Sequence, residues 1–141
     1  MKKKTFIRTI QKAFLIIFIF TLFTQCFYKD YTFKESLDRN FYLMESDILP
    51  SKYICIEHEN GSLVLLYDLL EVAGNENIIL VKNKNKENKD QYNLIKIAEV
   101  VYPEDIKVIS YDEYSKRKKQ LNYDYSYDQK NGFWRKFKWH K

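Results

Sequence analysis

Five short stretches between residues 40 and 97 either alternate apolar and polar side chains or run apolar, which is the pattern of β-strands. They are residues 40–45, 52–58, 62–67, 78–81 and 92–97. Asn60-Gly61 stands between the second and third stretches, where this dipeptide predicts a hairpin with a type I′ turn. The fourth stretch is apolar at every position, as expected of a central strand covered on both faces, with a short buried helix as the alternative.

Helical signals follow the strands. Ser110 and Glu113 have the spacing of a capping box, and the cations from Lys116 to Lys119 suit the C-terminal end of a helix. We therefore predict one helix at about 111–121, with Tyr114 and Leu121 as its core contacts. Strands followed by a helix predict an α+β fold, in which one C-terminal helix packs on an antiparallel meander of about five strands.

The predicted α+β domain covers residues 39–121. Residues 26–38 mix aromatic and charged side chains without a sustained period, so they are interpreted as a tether with at most one short pairing segment. Pro50 marks a turn at about 47–51, and residues 82–90 contain no apolar side chain, which predicts a long, mobile, solvated loop. Residues 122–141 form a basic aromatic C-terminal tail.

Residues 1–25 have the layout of a signal peptide. Five cations between Lys2 and Lys12, with no acidic residue, precede an apolar run at 13–23. A helix that crosses the hydrocarbon core needs about 20 apolar residues, and this run is roughly half as long. We therefore interpret it as a leader for export.

The end of this leader, Leu22-Phe-Thr-Gln-Cys26, resembles the lipobox of bacterial lipoproteins. The resemblance implies that Cys26 is lipidated, with acyl chains such as palmitate, and becomes the new N-terminus. The chain differs from the usual motif in having Gln25 before the cysteine and Leu22 one position too early. Two alternatives are an ordinary signal peptide cleaved nearby and an uncleaved anchor. Acyl chains would hold an exported protein on a membrane of the cell envelope.

Charge and cysteine content reduce the number of possible functions and structural classes. The net charge of +5 belongs to the leader, because the rest of the chain has 19 Lys and Arg against 19 Asp and Glu. Nucleic-acid binding therefore has no support from the overall charge. Cys55 is the only cysteine besides Cys26, so no disulfide framework is expected.

The candidate contact site is the tail, where aromatic and cationic residues interleave. Its residues are Phe133, Trp134, Arg135, Lys136, Phe137, Lys138 and Trp139. Such a segment suits a lipid interface or a protein partner. The structural alternative is a terminal strand with Phe133, Arg135, Phe137 and Trp139 on one side, or a disordered tail.

Catalytic, cofactor-binding and metal-ligating residues are all predicted to be absent. Strand alternation sends Cys55 and His58 to opposite faces, so His58 is not placed to activate the thiol or to join it at a metal. Pairs of acids such as Asp68 with Glu71, or Asp47 with Glu57, are expected to be ordinary solvated carboxylates. The sequence therefore predicts a protein that is not an enzyme.

Several of the predicted strands and the predicted helix together resemble a known group of proteins. Asn40-Phe-Tyr-Leu, residues 78–82, residues 92–95 and the helix at 111–121 are similar to small bacterial lipoproteins described only as a domain of unknown function. The resemblance implies a sheet with a C-terminal helix and no established activity. We expect a lipid-anchored binding or structural module; the alternative is an immunity-type inhibitor that binds a toxin or another envelope protein.

Overall fold

A computed structural model describes residues 33–46 and 51–136. It contains ten strands: β1 Phe33–Asp38, β2 Phe41–Glu45, β3 Tyr53–His58, β4 Gly61–Leu66, β5 Leu69–Gly74, β6 Ile78–Lys84, β7 Asp90–Lys96, β8 Lys107–Ile109, β9 Tyr125–Asp128 and β10 Gly132–Arg135. A 3-10 helix spans Pro103–Asp105, and the α-helix α1 spans Tyr111–Gln120. Within the described ranges, no helix has both the length and the apolar character needed to cross a membrane.

The strands form two antiparallel sheets. One has the order β1-β2-β3-β4, and the other has the order β10-β9-β5-β6-β7-β8. The predicted α+β class is confirmed, but the predicted meander of about five strands is too small. β8 has three residues and β9 has four, and runs this short show too little periodicity to be identified as strands.

The two sheets share one hydrophobic core. Ile54 and Ile56 of β3 belong to the same buried cluster as Ile79 and Val81 of β6. The alternating partners Tyr53 and Cys55 belong to a separate cluster on the other face of β3, as the alternation predicts. The described residues therefore form a sandwich with its main core between the sheets.

Helix α1 covers the outer face of the six-stranded sheet. Tyr114 is buried with Leu80 and Leu94, and Leu121 packs against this cluster. Ser110 accepts a hydrogen bond from the backbone N–H of Glu113 at 3.1 Å, which fixes the start of the helix. The predicted helix and its two core contacts are confirmed.

The hairpin between β3 and β4 is confirmed, but its predicted turn type is wrong. His58 pairs with Gly61, so Glu59 and Asn60 are the central turn residues. The described non-glycine residues with positive φ do not include either of them, whereas Gly61 has a φ of 135°. Glycine therefore occupies the last turn position, which type I turns favour, and not a central position of a type I′ turn.

The predicted loop at 82–90 is also too long. β6 continues to Lys84, and β7 begins at Asp90. The carboxylate of Asp90 contacts the ammonium groups of Lys82 at 2.8 Å and Lys84 at 2.6 Å, and hydrogen bonds from both lysines lower its pKa. Cross-strand ion pairs thus extend the hairpin through a segment without apolar side chains.

Sheet pairing extends beyond the predicted domain at both ends. β1 lies in the segment interpreted as a tether, and β9 and β10 lie in the segment interpreted as a tail. The described residues all belong to one compact unit. The predicted turn at 47–51 falls mostly on residues 47–50, outside the described residues.

Gly74 provides a test of this packing. It pairs with Tyr125, and a Cβ atom at Gly74 would lie 2.4 Å from the hydroxyl oxygen of this fully buried ring. We expect Gly74→Ala to lower the free energy of unfolding by about 1–3 kcal/mol, measured by urea denaturation, because the ring has to move. The loss should be smaller in a Tyr125→Leu background. An equal loss in both backgrounds would exclude this close approach as the cause.

Candidate functional site

The C-terminal hairpin β9–β10 and the residue that follows it, Lys136, carry four of the seven predicted contact residues. The carboxylate of Asp128 accepts hydrogen bonds from the backbone N–H groups of Lys130 at 2.9 Å and Asn131 at 2.7 Å, which fixes the turn. Gly132 follows with a φ of 76°, a conformation that glycine adopts without strain. β10 then runs along the edge of the six-stranded sheet.

The inner side of β10 has a structural role. Phe133 packs against the core between the sheets. The guanidinium of Arg135 lies over the rings of Phe133 and Tyr125 and donates hydrogen bonds to the carbonyl oxygens of Ser36 and Leu37, the latter at 2.8 Å. Because these carbonyls belong to β1 of the other sheet, Arg135 joins the two sheets.

The outer side of β10 faces solvent. Trp134 is 50% exposed, and its ring meets the ring of Tyr123 edge to face with centroids 5.8 Å apart. Lys136 is exposed, and its backbone N–H donates to the carbonyl of Asp124 at 2.7 Å. Among the seven predicted contact residues, Trp134 and Lys136 are therefore the described ones whose side chains remain available for contact.

The remaining predicted residues cannot be placed. Phe137, Lys138 and Trp139 lie outside the described residues, and so does the predicted lipidation site, Cys26. The alternation of Phe133 and Arg135 against Trp134 agrees with the terminal-strand interpretation over the length of β10.

The cationic end of α1 lies on the same outer face of the sheet. Lys118 forms an ion pair with Glu71 of β5, and the hydroxyl of Tyr114 donates to the same carboxylate at 3.2 Å. Burial raises the pKa of Tyr114, so this hydroxyl remains a hydrogen-bond donor. Lys116 and Lys119 stay exposed on the helix, and a few residues later the chain reaches Tyr123.

The groups considered for catalysis lie in unsuitable environments. Cys55 is fully buried, and burial raises the pKa of its thiol to about 11, which disfavours the nucleophilic thiolate. His58 is half-buried, and its Nε2 atom has no hydrogen-bond partner among the described residues. Glu71 is held by Lys118 and Tyr114, and Asp47 lies outside the described residues. Over residues 33–46 and 51–136, no group of metal-ligating side chains forms a candidate site.

Comparisons with known proteins give no relative. No protein-family model matches the chain, and neither the curated proteins nor the solved structures contain a match. The resemblance to small bacterial lipoproteins therefore stays a prediction.

The role of Arg135 as a link between the sheets was not predicted from the sequence. The feature of the sequence that points to this role is the alternation of side chains along the tail, which places Arg135 on the same side as the apolar Phe133. Arg135 stays exposed, and its guanidinium reaches across the edge of the sandwich to the carbonyls of β1.

The two sides of β10 should respond differently to truncation. We expect Phe133→Ala to lower the free energy of unfolding by about 2–3 kcal/mol, because the ring leaves a cavity beside the core. Trp134→Ala should cost about 1 kcal/mol or less, since it loses mainly the contact with Tyr123. Urea denaturation of both variants measures the difference, and similar losses would contradict this assignment of the two sides.

Proposed function

We propose that the protein is an exported, lipid-anchored binding module without catalytic activity, which contacts the membrane of the cell envelope through its C-terminal hairpin. The observation that carries this proposal is the outer side of β10, where half-exposed Trp134 lies against Tyr123 next to exposed Lys136. The leader and Cys26 supply the argument for export and anchoring.

The chemistry of this surface suits a lipid interface. Tryptophan and tyrosine rings are favoured at headgroup depth, because one end of each side chain is apolar and the other forms hydrogen bonds. Lysine near an anionic membrane contributes about 1 kcal/mol. Residues 111–141 hold nine Lys and Arg against four Asp and Glu, so the cationic end of α1 adds to the same attraction.

The division of roles along β10 supports contact through one side. Phe133 and Arg135 are already engaged within the sandwich, whereas Trp134 and Lys136 point away from it. A partner could therefore contact the outer side without disturbing the core.

The lipid anchor is tested with the two cysteines of the chain. We expect Cys26→Ala to move the full chain from the membrane fraction to the soluble fraction after a high-salt wash, because the acylated sulfur is lost and salt screens the remaining contact of the hairpin. Cys55→Ala is the matched control and should stay with the membrane, since Cys55 is buried in the fold. Mass spectrometry of the wild-type N-terminus should find an acylated Cys26. An unmodified Met1 at the N-terminus would contradict the anchor.

The hairpin contact is tested on residues 27–141, which include the whole compact unit but lack the leader and Cys26. On vesicles that contain anionic phosphatidylglycerol, Lys136→Gln should weaken binding about fivefold, the equivalent of one surface lysine. Trp134→Ala combined with Lys136→Gln should weaken it further. Co-sedimentation at low and high salt measures both effects.

Lys107→Gln is the control for this experiment. Lys107 is also exposed, but it lies on β8 at the opposite edge of the six-stranded sheet. Its substitution should leave vesicle binding nearly unchanged. Equal losses in the Lys107 and Lys136 variants would mean that binding follows total charge, and unchanged binding in the double variant would exclude this surface.

A further inference from the structure

An open cleft of about 590 Å³ lies at the end of the sandwich where β6 and β7 are joined. Leu65 and Leu66 of β4 line it from one sheet, and Asn83 and Gln91 line it from the other. An adjoining depression of about 400 Å³ shares Asp68 with it. The volume is within the range of small-molecule sites, and the lining combines an apolar side with a polar side.

The polar side of the cleft arises because the inner face of β6 and β7 changes from apolar side chains to amide side chains toward this end. Val81 and Ile95 on this face belong to the core between the sheets. Toward the cleft the same face carries three amides. Gln91 Nε2 donates to Asn93 Oδ1 at 3.0 Å, and Asn93 Nδ2 donates to Asn83 Oδ1 at 2.8 Å.

The backbone fixes the direction of this chain of amides. Asn83 Nδ2 donates to the carbonyls of Tyr67 at 3.1 Å and Lys84 at 3.2 Å, and a carbonyl only accepts. Asn83 Oδ1 must therefore face Asn93, which in turn must present its own oxygen to Gln91. Gln91 Oε1 is left as an acceptor, with no donor to it among the described residues.

Other polar groups of the cleft are also available. Asn85 Oδ1 already accepts from the backbone N–H groups of Glu87 and Lys89, both at 2.9 Å, which leaves its Nδ2 as a donor. The carboxylate of Asp68 and the ammonium of Lys86 form no hydrogen bond or ion pair with the described part of the chain. Asp68 has a φ of 54°, and its carbonyl accepts from the N–H of Lys84 at 3.0 Å.

We propose that this cleft binds a short neutral saccharide. The charges around it balance, with Asp68 and Glu87 against Lys84 and Lys86, so it does not select an anion or a cation. Sugar hydroxyls both donate and accept, which matches the acceptors at Asp68 and Gln91 and the donors at Asn85 and Lys86. The apolar C–H face of a sugar ring suits the leucines and the half-exposed ring of Tyr67.

An extended peptide fits this cleft less well. Asn83 lies in β6, which pairs with β5 on one side and β7 on the other. The backbone of this strand is therefore not free to add a peptide strand, which is the usual mode for extended peptides at a sheet. On the other side of the cleft, β4 is an edge strand, but a bulge at Leu65 interrupts its regular backbone there. The available groups are side chains at fixed positions, as a compact ligand with hydroxyl groups requires.

The test uses ¹⁵N-labelled residues 27–141 and three neutral disaccharides, chitobiose, cellobiose and maltose, each at about 10 mM, enough to detect a millimolar Kd. We expect at least one sugar to shift the side-chain NH₂ signals of Asn85 and Gln91. Tyr67→Ala and Asp68→Asn should each weaken binding about tenfold. Asparagine tolerates positive φ, so Asp68→Asn should fold even if Tyr67→Ala does not.

Lys89→Gln is the matched control, because Lys89 lies in the same loop but pairs with Glu87 at 2.7 Å. It should leave sugar binding unchanged. The proposal is overturned if no disaccharide shifts the two side-chain signals, or if Asp68→Asn binds as well as the wild type. Shifts of these signals by an uncharged Gly-Ser-Asn-Thr peptide, with none from the sugars, would also overturn it.

Discussion

The fold depends on the burial of two apolar sheet faces against each other. Neither sheet is covered on its inner face without the other, and helix α1 protects only the outer face of the larger one. Within that sheet, β5 has β6 on one side and β9 on the other. The larger sheet is therefore complete only when the C-terminal segment pairs with a strand more than fifty residues earlier.

This constraint divides the C-terminal hairpin into two sides. Tyr125, Tyr127 and Phe133 fill the core, and Arg135 satisfies two carbonyls of β1. The alternate positions, among them Trp134, have no role in the core and remain on the surface. The same alternation operates on β6 and β7, where inward positions beyond the apolar core carry Asn83 and Gln91. In both places, the candidate binding groups are strand residues whose side chains do not pack in the apolar core.

Local patterns were sufficient for the elements with strong apolar periodicity. The pattern of apolar residues predicted β2, β3, β4, β6, β7 and α1. β8 was not predicted, and β10 was predicted only as the structural alternative for the tail, because each strand is too short to show a period of its own. The ends of β6 and β7 were mistaken for a loop, since Lys82, Lys84 and Asp90 stabilise one another only once the strands are paired.

The two candidate sites also differ in how far the sequence predicts them. The exposed aromatic and cationic residues of the tail were visible in the sequence, but the engagement of Phe133 and Arg135 with the rest of the fold was not. The cleft could not be predicted from local patterns. It depends on the approach of β4 in one sheet to β6 and β7 in the other, and a run such as Asn-Lys-Asn-Lys does not indicate which side chains point inward.

The two proposed surfaces lie toward opposite ends of the larger sheet. Lys136 follows Arg135, which pairs with Tyr125, and Tyr125 pairs with Gly74 near the start of β6. The cleft lies at the other end of β6, beyond Asn83, and a strand of this length spans about 20 Å. A membrane in contact with the Lys136 end would therefore leave the cleft open to solvent. Anchoring and ligand binding are thus geometrically compatible, because neither needs the surface that the other uses.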